Sequence, residues 1–279
     1  MELTLLTINT WKCDGDYYNR RAVLEKELKE SEAQVILCQE CFRSADGNVD
    51  TLEHLSQTLG MPAWYVPCRR KERMLADRWV DSFSGLGILT SLPVMNERVI
   101  DLPSDAIDGG RQAQLLTIEL AAGQTLSIAN VHLTHLPDDE LRRRQLQAVL
   151  ENMNDSDASF RIIGGDWNAA THSPILNEMM DRTPAADCYV LGQGADPRYS
   201  LLSFYRKGVS VCVDHFFALP LRAAESGSSE GQSLAVCGNR SKPSIYPSFI
   251  RAGVVLNRPD AGSGLYPSDH FGIRVTLTY

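Results

Sequence analysis

The sequence predicts an α/β (α+β) fold in which two mixed β-sheets pack face to face and helices cover their outer faces. Three observations support this prediction. The first 40 residues read as strand, helix, strand. Closely spaced apolar segments follow between residues 64 and 133, and a further helix–strand alternation begins at Pro137. We expect residues 1–279 to form a single domain of this kind.

Periodicity and capping signals define the elements of the first part of the chain. Leu3–Ile8 alternates as a strand does, and Tyr18–Ser31 carries one apolar face and one charged face, which predicts a helix. Gln34–Cys38 is a short apolar run of the buried-strand type, and it ends at Gln39-Glu40. A second helix is predicted over residues 49–59, closed by Gly60.

The second part of the chain returns to helices before its last strands. Pro137-Asp138 opens a helix, and a strand follows at Phe160–Ile163. Ser173-Pro174 caps another short helix. Three late strands are predicted, over residues 209–219, 248–256 and 271–278.

Composition excludes several classes of protein. Hydrophobic residues make up 43% and charged residues 22%, which argues against collagen-like, coiled-coil and wholly disordered chains. A net charge of −8 argues against a surface that coats nucleic acid or anionic membrane throughout, although a local basic patch is compatible with it. The opening MELTLLTINTW has no basic segment and carries polar residues inside its apolar run. We therefore expect neither a signal peptide nor a membrane span. We expect the protein to be cytoplasmic and monomeric.

Seven cysteines are scattered along the chain, an odd number that favours a reducing compartment. Cys38 and Cys41 have CxxC spacing, but no second pair or Cys/His run accompanies them, so we do not expect a zinc site. Side chains alternate along a strand, which places Cys38 on the side of Glu40 and Cys41 on the opposite side.

Polar side chains follow most of the predicted strands. Each alone has an ordinary explanation as a turn residue, a loop charge, a helix cap or a core histidine. As a set they supply carboxylates for a hard cation, histidines for proton transfer and amides for orienting oxygen. They are Asn9, Glu40, Asn130-Val-His132, Asp166-Trp-Asn168, Asp214-His215 and Ser268-Asp269-His270.

The sequence motifs around these residues resemble those of the endonuclease/exonuclease/phosphatase superfamily. Its members are metal-dependent phosphoesterases that include DNase I-like nucleases and neutral sphingomyelinases. The resemblance implies a four-layer αββα sandwich with the site at one end of both sheets. It spans nearly the whole chain, and GGDWNA and PSDHFGI are its most specific motifs. The motifs are LTINTW (6–11), CQE (38–40), SGLGIL (84–89), NVHL (130–133), GGDWNA (164–169), VDHFF (213–217) and PSDHFGI (267–273).

The resemblance implies a divalent metal site. Glu40 would be the main ligand of Mg²⁺ or Mn²⁺, with Asn9 and Asp269 completing or supporting the site. Carboxylate and amide oxygens suit such hard cations.

The resemblance also implies the residues that act on the phosphate. His270 would be the general base or electrostatic partner of the attacking water, held in its tautomer by Asp214. Asp166 and Asn168 would orient water and a phosphate oxygen. His132 would bind the phosphate or protonate the leaving oxygen.

Two positions depart from the family pattern. Cys212 stands where many relatives have an arginine that contacts phosphate, and Arg111 or Arg206 could replace that contact. His215 stands where an aromatic residue is usual, and we expect it to be a wall or surface residue.

The substrate is predicted from the loops. The basic-aromatic segment Trp64–Arg73 predicts that Trp64, Arg69 and Arg70 contact a polynucleotide; a solvated loop beside a packed tryptophan is the alternative. Three consecutive arginines at residues 142–144 also favour contact with the phosphates of a polynucleotide. We therefore favour a nucleic-acid phosphodiester. A sphingomyelinase-like or phosphoinositide-type lipid phosphoesterase is the alternative activity, and a non-catalytic binding module is the alternative from another class. No stable membrane insertion is expected.

Overall fold

A computed structural model describes residues 1–183, 185–202, 211–220 and 246–279 of the protein. The first of its two sheets has six strands in the order β11-β12-β1-β2-β4-β3. Within it β1 and β2 run parallel and their other neighbours are antiparallel. These strands are β1 (Glu2–Asn9), β2 (Val35–Ser44), β3 (Ala63–Leu75), β4 (Arg78–Thr90), β11 (Ser248–Val255) and β12 (Gly272–Thr278).

The second sheet has the same size and the same plan. Its order is β5-β6-β7-β8-β10-β9, and here β7 and β8 form the parallel pair. The two sheets are mixed, as the sequence predicts. The strands are β5 (Val94–Leu102), β6 (Arg111–Glu119), β7 (Thr125–His132), β8 (Phe160–Asp166), β9 (Ala186–Asp187) and β10 (Asp214–Ala218).

Helices cover the outer face of each sheet and complete the four layers. Apolar side chains of α1 (Tyr17–Ser31) and α2 (Thr51–Leu59) pack on the first sheet, and those of α3 (Asp139–Asn154) and α4 (Pro174–Arg182) on the second. A short α5 (Cys188–Leu191) precedes the segment that returns to β10. Asp50 and Asp138 cap α2 and α3 by accepting hydrogen bonds from backbone N–H groups of the first turn. None of the helices within the described residues has the length and apolarity needed to span a bilayer.

The largest apolar cluster lies between the sheets and fixes how they face each other. Leu5 and Leu37 of the first sheet meet Ile128 and Phe216 of the second, all fully buried. Burying each such side chain contributes roughly 1.5–3 kcal/mol. The strands β1, β7 and β8 end at one edge of the sandwich and place Asn9, His132 and Asp166 there, and Glu40 from within β2 joins them in one cleft.

A buried amide pair ties the two sheets together just beneath that cleft. Gln39 of β2 donates from Nε2 to Oδ1 of Asn130 on β7 at 2.7 Å. Asn130 Nδ2 in turn donates to the carbonyl oxygens of Cys38 and Gly87 at 3.0 and 2.9 Å. Both amides are fully buried, so these bonds satisfy polar groups that would otherwise be costly to desolvate. Asn130 therefore positions the sheets, a structural role within the motif NVHL.

The expected end of β2 at Gln39-Glu40 is wrong, because the strand bulges there and continues to Ser44. Gln39 and Glu40 together oppose one residue of β4, and Glu40 adopts a left-handed φ of 53°. The extra residue reverses the alternation beyond it. Cys41 consequently joins Cys38 in one apolar cluster under α1 and α2, and the prediction that the two thiols face opposite sides is wrong.

Candidate active site

A cleft of about 320 Å³ opens at the end of the sandwich where the parallel strands terminate. Nine of the residues predicted from the sequence line it, although they come from widely separated parts of the chain. They are Asn9, Glu40, Arg69, Arg111, His132, Asp166, Asn168, Asp269 and His270.

His270 and Asp214 form a buried pair at one side of the cleft. Asp214 begins β10 of the second sheet and His270 comes just before β12 of the first sheet, so the pair joins the two sheets. His270 Nδ1 lies 2.8 Å from Asp214 Oδ2 and donates to it, which leaves Nε2 facing the cleft. Burial alone would lower the pKa of His270, but the neighbouring carboxylates, Asp214 first, raise it to about 10.

Asp166 is the centre of a hydrogen-bond network on the cleft floor. Its Oδ2 accepts from Asn9 Nδ2 at 3.0 Å, and its Oδ1 accepts from the backbone N–H of Asn168 at 2.9 Å. His132 Nε2 and His270 Nε2 lie 3.5 and 3.9 Å from Oδ2. Burial, and after it the charge of Asp214, raises the pKa of Asp166. One carboxylate thus holds the Asn9 amide and the Asn168 backbone and lies close to both histidines.

Backbone strain concentrates around the same cleft. Four non-glycine residues that line it have positive φ values, a conformation that costs roughly 1–3 kcal/mol each and persists where tertiary contacts enforce it. They are Trp11 (56°), Lys12 (44°), Glu40 (53°) and Asn168 (48°). Gly165 shows why GGDWNA needs its second glycine, since a Cβ there would lie 2.0 Å from the Val131 carbonyl oxygen.

The carboxylates of the cleft fit a divalent cation. Burial, and after it the charge of Glu40, raises the pKa of Asp269 to about 6 against the opposing charge of His270. Asp214 Oδ1 is buried with no hydrogen-bond partner among the described residues. Uncompensated negative charge of this kind is what a hard cation relieves. Ligand atoms of Asp166, Asp214 and His270 also lie within 4.8 Å of one another, a second arrangement that could hold an ion.

Lys12 was not predicted from the sequence. Its ammonium lies 2.7 Å from Glu40 Oε2 and 3.6 Å from Asp14. Burial lowers the pKa of Lys12, but the charge and hydrogen bond of Glu40, together with the charges of Asp14 and Asp269, raise it overall, so Lys12 is cationic. A lysine directly after Asn9-Thr-Trp11, where the strand turns into a loop, was the signal available in the sequence.

Arg111 lines the cleft and forms a buried ion pair with Asp108, a pair that the sequence did not predict. Its guanidinium binds Asp108 through two contacts, Nη2 to Oδ1 at 2.6 Å and Nε to Oδ2 at 2.8 Å. His135 Nδ1 lies 2.8 Å from the same Oδ1. Arg111 Nη1 also donates to the carbonyl oxygen of His132 at 3.3 Å, which couples this rim to the predicted phosphate-binding histidine.

Trp64 and Arg70 lie away from the cleft, which corrects their expected contact with substrate. The segment that contains them is part of β3, so its side chains alternate between two faces. Trp64 packs against the apolar cluster between the sheets. Arg70 lies on the face opposite to the cleft residues and binds Asp81, with Nη2 to Oδ2 at 2.6 Å. The alternative for this segment is right that Trp64 is packed, but wrong that the segment is a loop, since it is part of a strand.

The arginine run of α3 does not supply cations to a substrate as expected. Arg142 is buried, pairs with Asp139 and donates to the carbonyl oxygen of Leu136 at 2.8 Å. Arg143 pairs with Glu140 and with Glu178 of α4. These contacts hold the helix and its neighbours together.

The two departures from the family pattern have structural explanations. Cys212 is buried and its thiol donates to the carbonyl oxygen of Asp214 at 3.2 Å. Arg206 lies outside the described residues. His215 is neither wall nor surface: it is 1% exposed, lies beside Trp167 and Phe217, and donates from Nε2 to the Ala169 carbonyl oxygen at 2.9 Å.

Comparison with known proteins agrees with the family resemblance of the sequence motifs. The family model described as "Endonuclease/Exonuclease/phosphatase family" matches residues 6–270. No curated protein matches the chain.

Several solved structures share the fold at low sequence identity. An endonuclease/exonuclease/phosphatase family protein from Leptotrichia buccalis superposes with a TM-score of 0.72 at 16% identity, covering 99% of this chain and 100% of that one. D. rerio TDP2 complexed with a single-strand DNA product gives 0.69 at 17%, covering 100% and 99%. A Bacteroides thetaiotaomicron mannosyl-6-phosphatase gives 0.70 at 16%, covering 99% and 100%.

Proposed function

The chain belongs to the endonuclease/exonuclease/phosphatase family and is a phosphoric ester hydrolase of that type, and we propose that it is a Mg²⁺- or Mn²⁺-dependent phosphodiesterase that acts on nucleic acid. The observation that carries the proposal is the cleft itself. It joins the His270–Asp214 pair, the Asp166 network and the carboxylates of Glu40 and Asp269 around one space.

The metal would be held by Glu40 and Asp269, with Asn9 in support. These residues offer the oxygen donors that Mg²⁺ and Mn²⁺ prefer, and burial, which raises the pKa of Asp269 to about 6, destabilises a charged carboxylate that a bound cation would stabilise. When bound, the ion supplies positive charge that neutralises the phosphate and favours ionisation of water. Asn9 also keeps Asp166 in place through its Nδ2, while its Oδ1 accepts the Trp11 N–H at 2.9 Å.

His270 is proposed to take the proton of the attacking water; the carboxylate charges that raise its pKa to about 10 are those that a bound divalent cation would offset, which would leave its Nε2 unprotonated. Asp214 holds the Nδ1–H, so Nε2 is the nitrogen that faces the cleft and can exchange a proton there. Asp166, 3.9 Å from the same Nε2, would orient the water between them. Proton transfer by a positioned side chain contributes typically about 10²–10⁴-fold to the rate.

His132 is proposed to hold a phosphate oxygen. Burial first, and then the charges of Arg111 and His270, lowers the pKa of His132 well below its ordinary value. A neutral imidazole N–H is a hydrogen-bond donor, so this environment supports phosphate binding over proton donation to the leaving group. Asn168, whose Nδ2 donates to the Leu133 carbonyl oxygen at 3.0 Å, would keep the adjacent wall in position.

The preference for nucleic acid is supported by cations on one wall of the cleft. Arg69, Lys71, Arg73 and Arg111 all line it, although the protein as a whole carries a net charge of −8. Positive charge confined to the binding cleft suits a polyanion that binds locally. The similar TDP2 structure holds a single-strand DNA product, which supports the same choice.

A substrate panel tests the proposal. Turnover of a single-stranded oligonucleotide, sphingomyelin, a phosphoinositide and mannose 6-phosphate is measured with Mg²⁺, Mn²⁺ or EDTA. We expect metal-dependent cleavage of the oligonucleotide at a rate well above the other three. Rapid cleavage of either lipid with no oligonucleotide hydrolysis would reverse the substrate assignment, and equal activity in EDTA would overturn the metal requirement.

A further inference from the structure

Three cations lie in a row along the cleft-facing side of β3. Because side chains alternate along a strand, Arg69, Lys71 and Arg73 share one face while Arg70 lies on the other. Pairing with β4 keeps this register, since Arg69 is opposite Ser84 and Lys71 is opposite Ser82. The row and the proposed catalytic residues line the same cleft.

The three side chains lack the ion pairs that eight other arginines among the described residues have. Within the described ranges, neither Arg69, Lys71 nor Arg73 has a carboxylate within 4.0 Å, whereas Arg70 on the opposite face is paired with Asp81. Paired arginines elsewhere include Arg43, Arg111, Arg142, Arg143, Arg182, Arg198 and Arg251. The protein has more acidic than basic residues, yet these three neighbouring cations have no carboxylate partner among the described residues.

Arg73 lies at one end of this row and is buried and held in place by hydrogen bonds within the protein. It is only 4% exposed, and burial lowers the pKa of its guanidinium, so placing a cation there has a cost. Its Nη1 donates to Ser82 Oγ at 3.0 Å and its Nη2 to the Arg69 carbonyl oxygen at 3.3 Å, which fixes its orientation. Its Nε has no hydrogen-bond partner within the part of the chain that the structure describes.

The loop across from the row holds Arg69 in place. Arg69 Nη2 donates to the Ile107 carbonyl oxygen at 3.3 Å, and its side chain passes Gly109, where a Cβ would lie 3.6 Å from Nε. The same loop carries Asp108, which binds Arg111. One end of the row is therefore tied to the rim near His132, and the other end extends along β3.

We propose that Arg69 and Lys71, with the buried Arg73 adding positive charge behind them, form a track that binds consecutive phosphates of one nucleic-acid strand next to the scissile phosphate. This inference rests on the proposed function for its choice of substrate. Alternate residues of a β-strand repeat about every 7 Å, a spacing comparable to that between successive phosphates of an extended strand. A substrate with a single phosphate would leave the row unused.

Binding measured without turnover tests the track. Fluorescence anisotropy in EDTA compares a labelled thymidine octanucleotide with the dinucleotide over about 50 to 200 mM salt. For single strands log K falls with log salt by about 0.7 per phosphate neutralised. We expect the octanucleotide to bind at least about tenfold more tightly than the dinucleotide. The combined variant R69A/K71A should reduce the slope by about 1.4 and remove most of that difference.

Arg70→Ala is the control, because it removes one cation from the same strand on the opposite face, whereas R69A/K71A removes two from the cleft-facing side. It should leave both the slope and the length dependence unchanged. Equal behaviour of R69A/K71A and Arg70→Ala, or equal affinity for the two lengths in the parent protein, would overturn the track.

A separate measurement distinguishes failure of the track from failure of the proposed activity. Metal-dependent hydrolysis of bis-p-nitrophenyl phosphate, which carries one phosphate, reports on the chemistry alone. Hydrolysis without a length effect in binding refutes the track and leaves the phosphodiesterase assignment standing. A length effect removed by R69A/K71A, in a protein that hydrolyses no phosphodiester, supports the track and refutes the activity.

Discussion

His215 should make the protein sensitive to acid, because this buried histidine resists protonation only while the protein is folded. It lies between Trp167 and Phe217, and its Nε2 donates to the carbonyl oxygen of Ala169. Its Nδ1 has no partner among the described residues. Burial lowers the pKa of His215 from 6.5 to about 4. The perturbation we choose is His215→Phe, which keeps an aromatic ring and removes the titrating group.

The magnitude follows from the shift of about 2.5 pH units between 6.5 and about 4. Between these values the unfolded chain binds a proton that the folded chain does not, so the free energy of unfolding falls as the pH falls. At 1.36 kcal/mol per unit, full passage through this window removes about 3 kcal/mol. Because His215 is 1% exposed, no reduction for solvent screening is needed.

The assay is urea-induced unfolding at several pH values between 4 and 7 for the parent, His215→Phe and His172→Gln. The difference in free energy of unfolding between parent and His215→Phe should shift by about 3 kcal/mol in favour of the variant as the pH falls across the window. His172 is exposed, so His172→Gln should follow the parent. Parallel pH curves for the parent and His215→Phe would show that burial of His215 does not destabilise the folded protein in acid.

Two further predictions concern the active-site pair and the thiols. Asp214→Asn and His270→Asn should each lower turnover by about 10²–10⁴-fold. The double variant should be little worse than the worse single variant, because both residues act on the same water. Additive losses in a double-mutant cycle would indicate separate roles. The variant C38S/C41S should retain metal-dependent hydrolysis while losing roughly 1–3 kcal/mol of stability on urea unfolding, since it places two hydroxyls in an apolar cluster. Loss of bound zinc together with activity would contradict that expectation.

Much of the fold could be predicted because its signals are local. The first helix, predicted over 18–31 and found over 17–31, depends on periodicity, and the start of α3 at Asp138 depends on one capping side chain. The length of β3 could not be predicted, since its charged second half is a strand only through pairing with β4. The bulge at Glu40 is likewise a tertiary feature, and with it the shared side of Cys38 and Cys41.

The candidate site was predictable to the extent that its residues end strands. Asn9, His132 and Asp166 terminate parallel strands, so their meeting follows from topology. Lys12 and Asp108 were missed because they lie in loops whose course depends on contacts distant in sequence. Arg70 was assigned to the substrate from charge alone, and only the register of β3 shows that it faces away.

The central claim is that Glu40 holds the catalytic metal, and one paired measurement on Glu40→Gln tests it most directly. Glutamine keeps the shape of the side chain but supplies no negative charge to a cation. Mg²⁺ binding by calorimetry and hydrolysis of bis-p-nitrophenyl phosphate are measured on the same folded samples of parent and variant. We expect Glu40→Gln to lose both the heat of Mg²⁺ binding and the hydrolysis while unfolding at the same temperature as the parent within a few degrees. Full hydrolysis with undiminished Mg²⁺ binding in the variant would contradict the assignment.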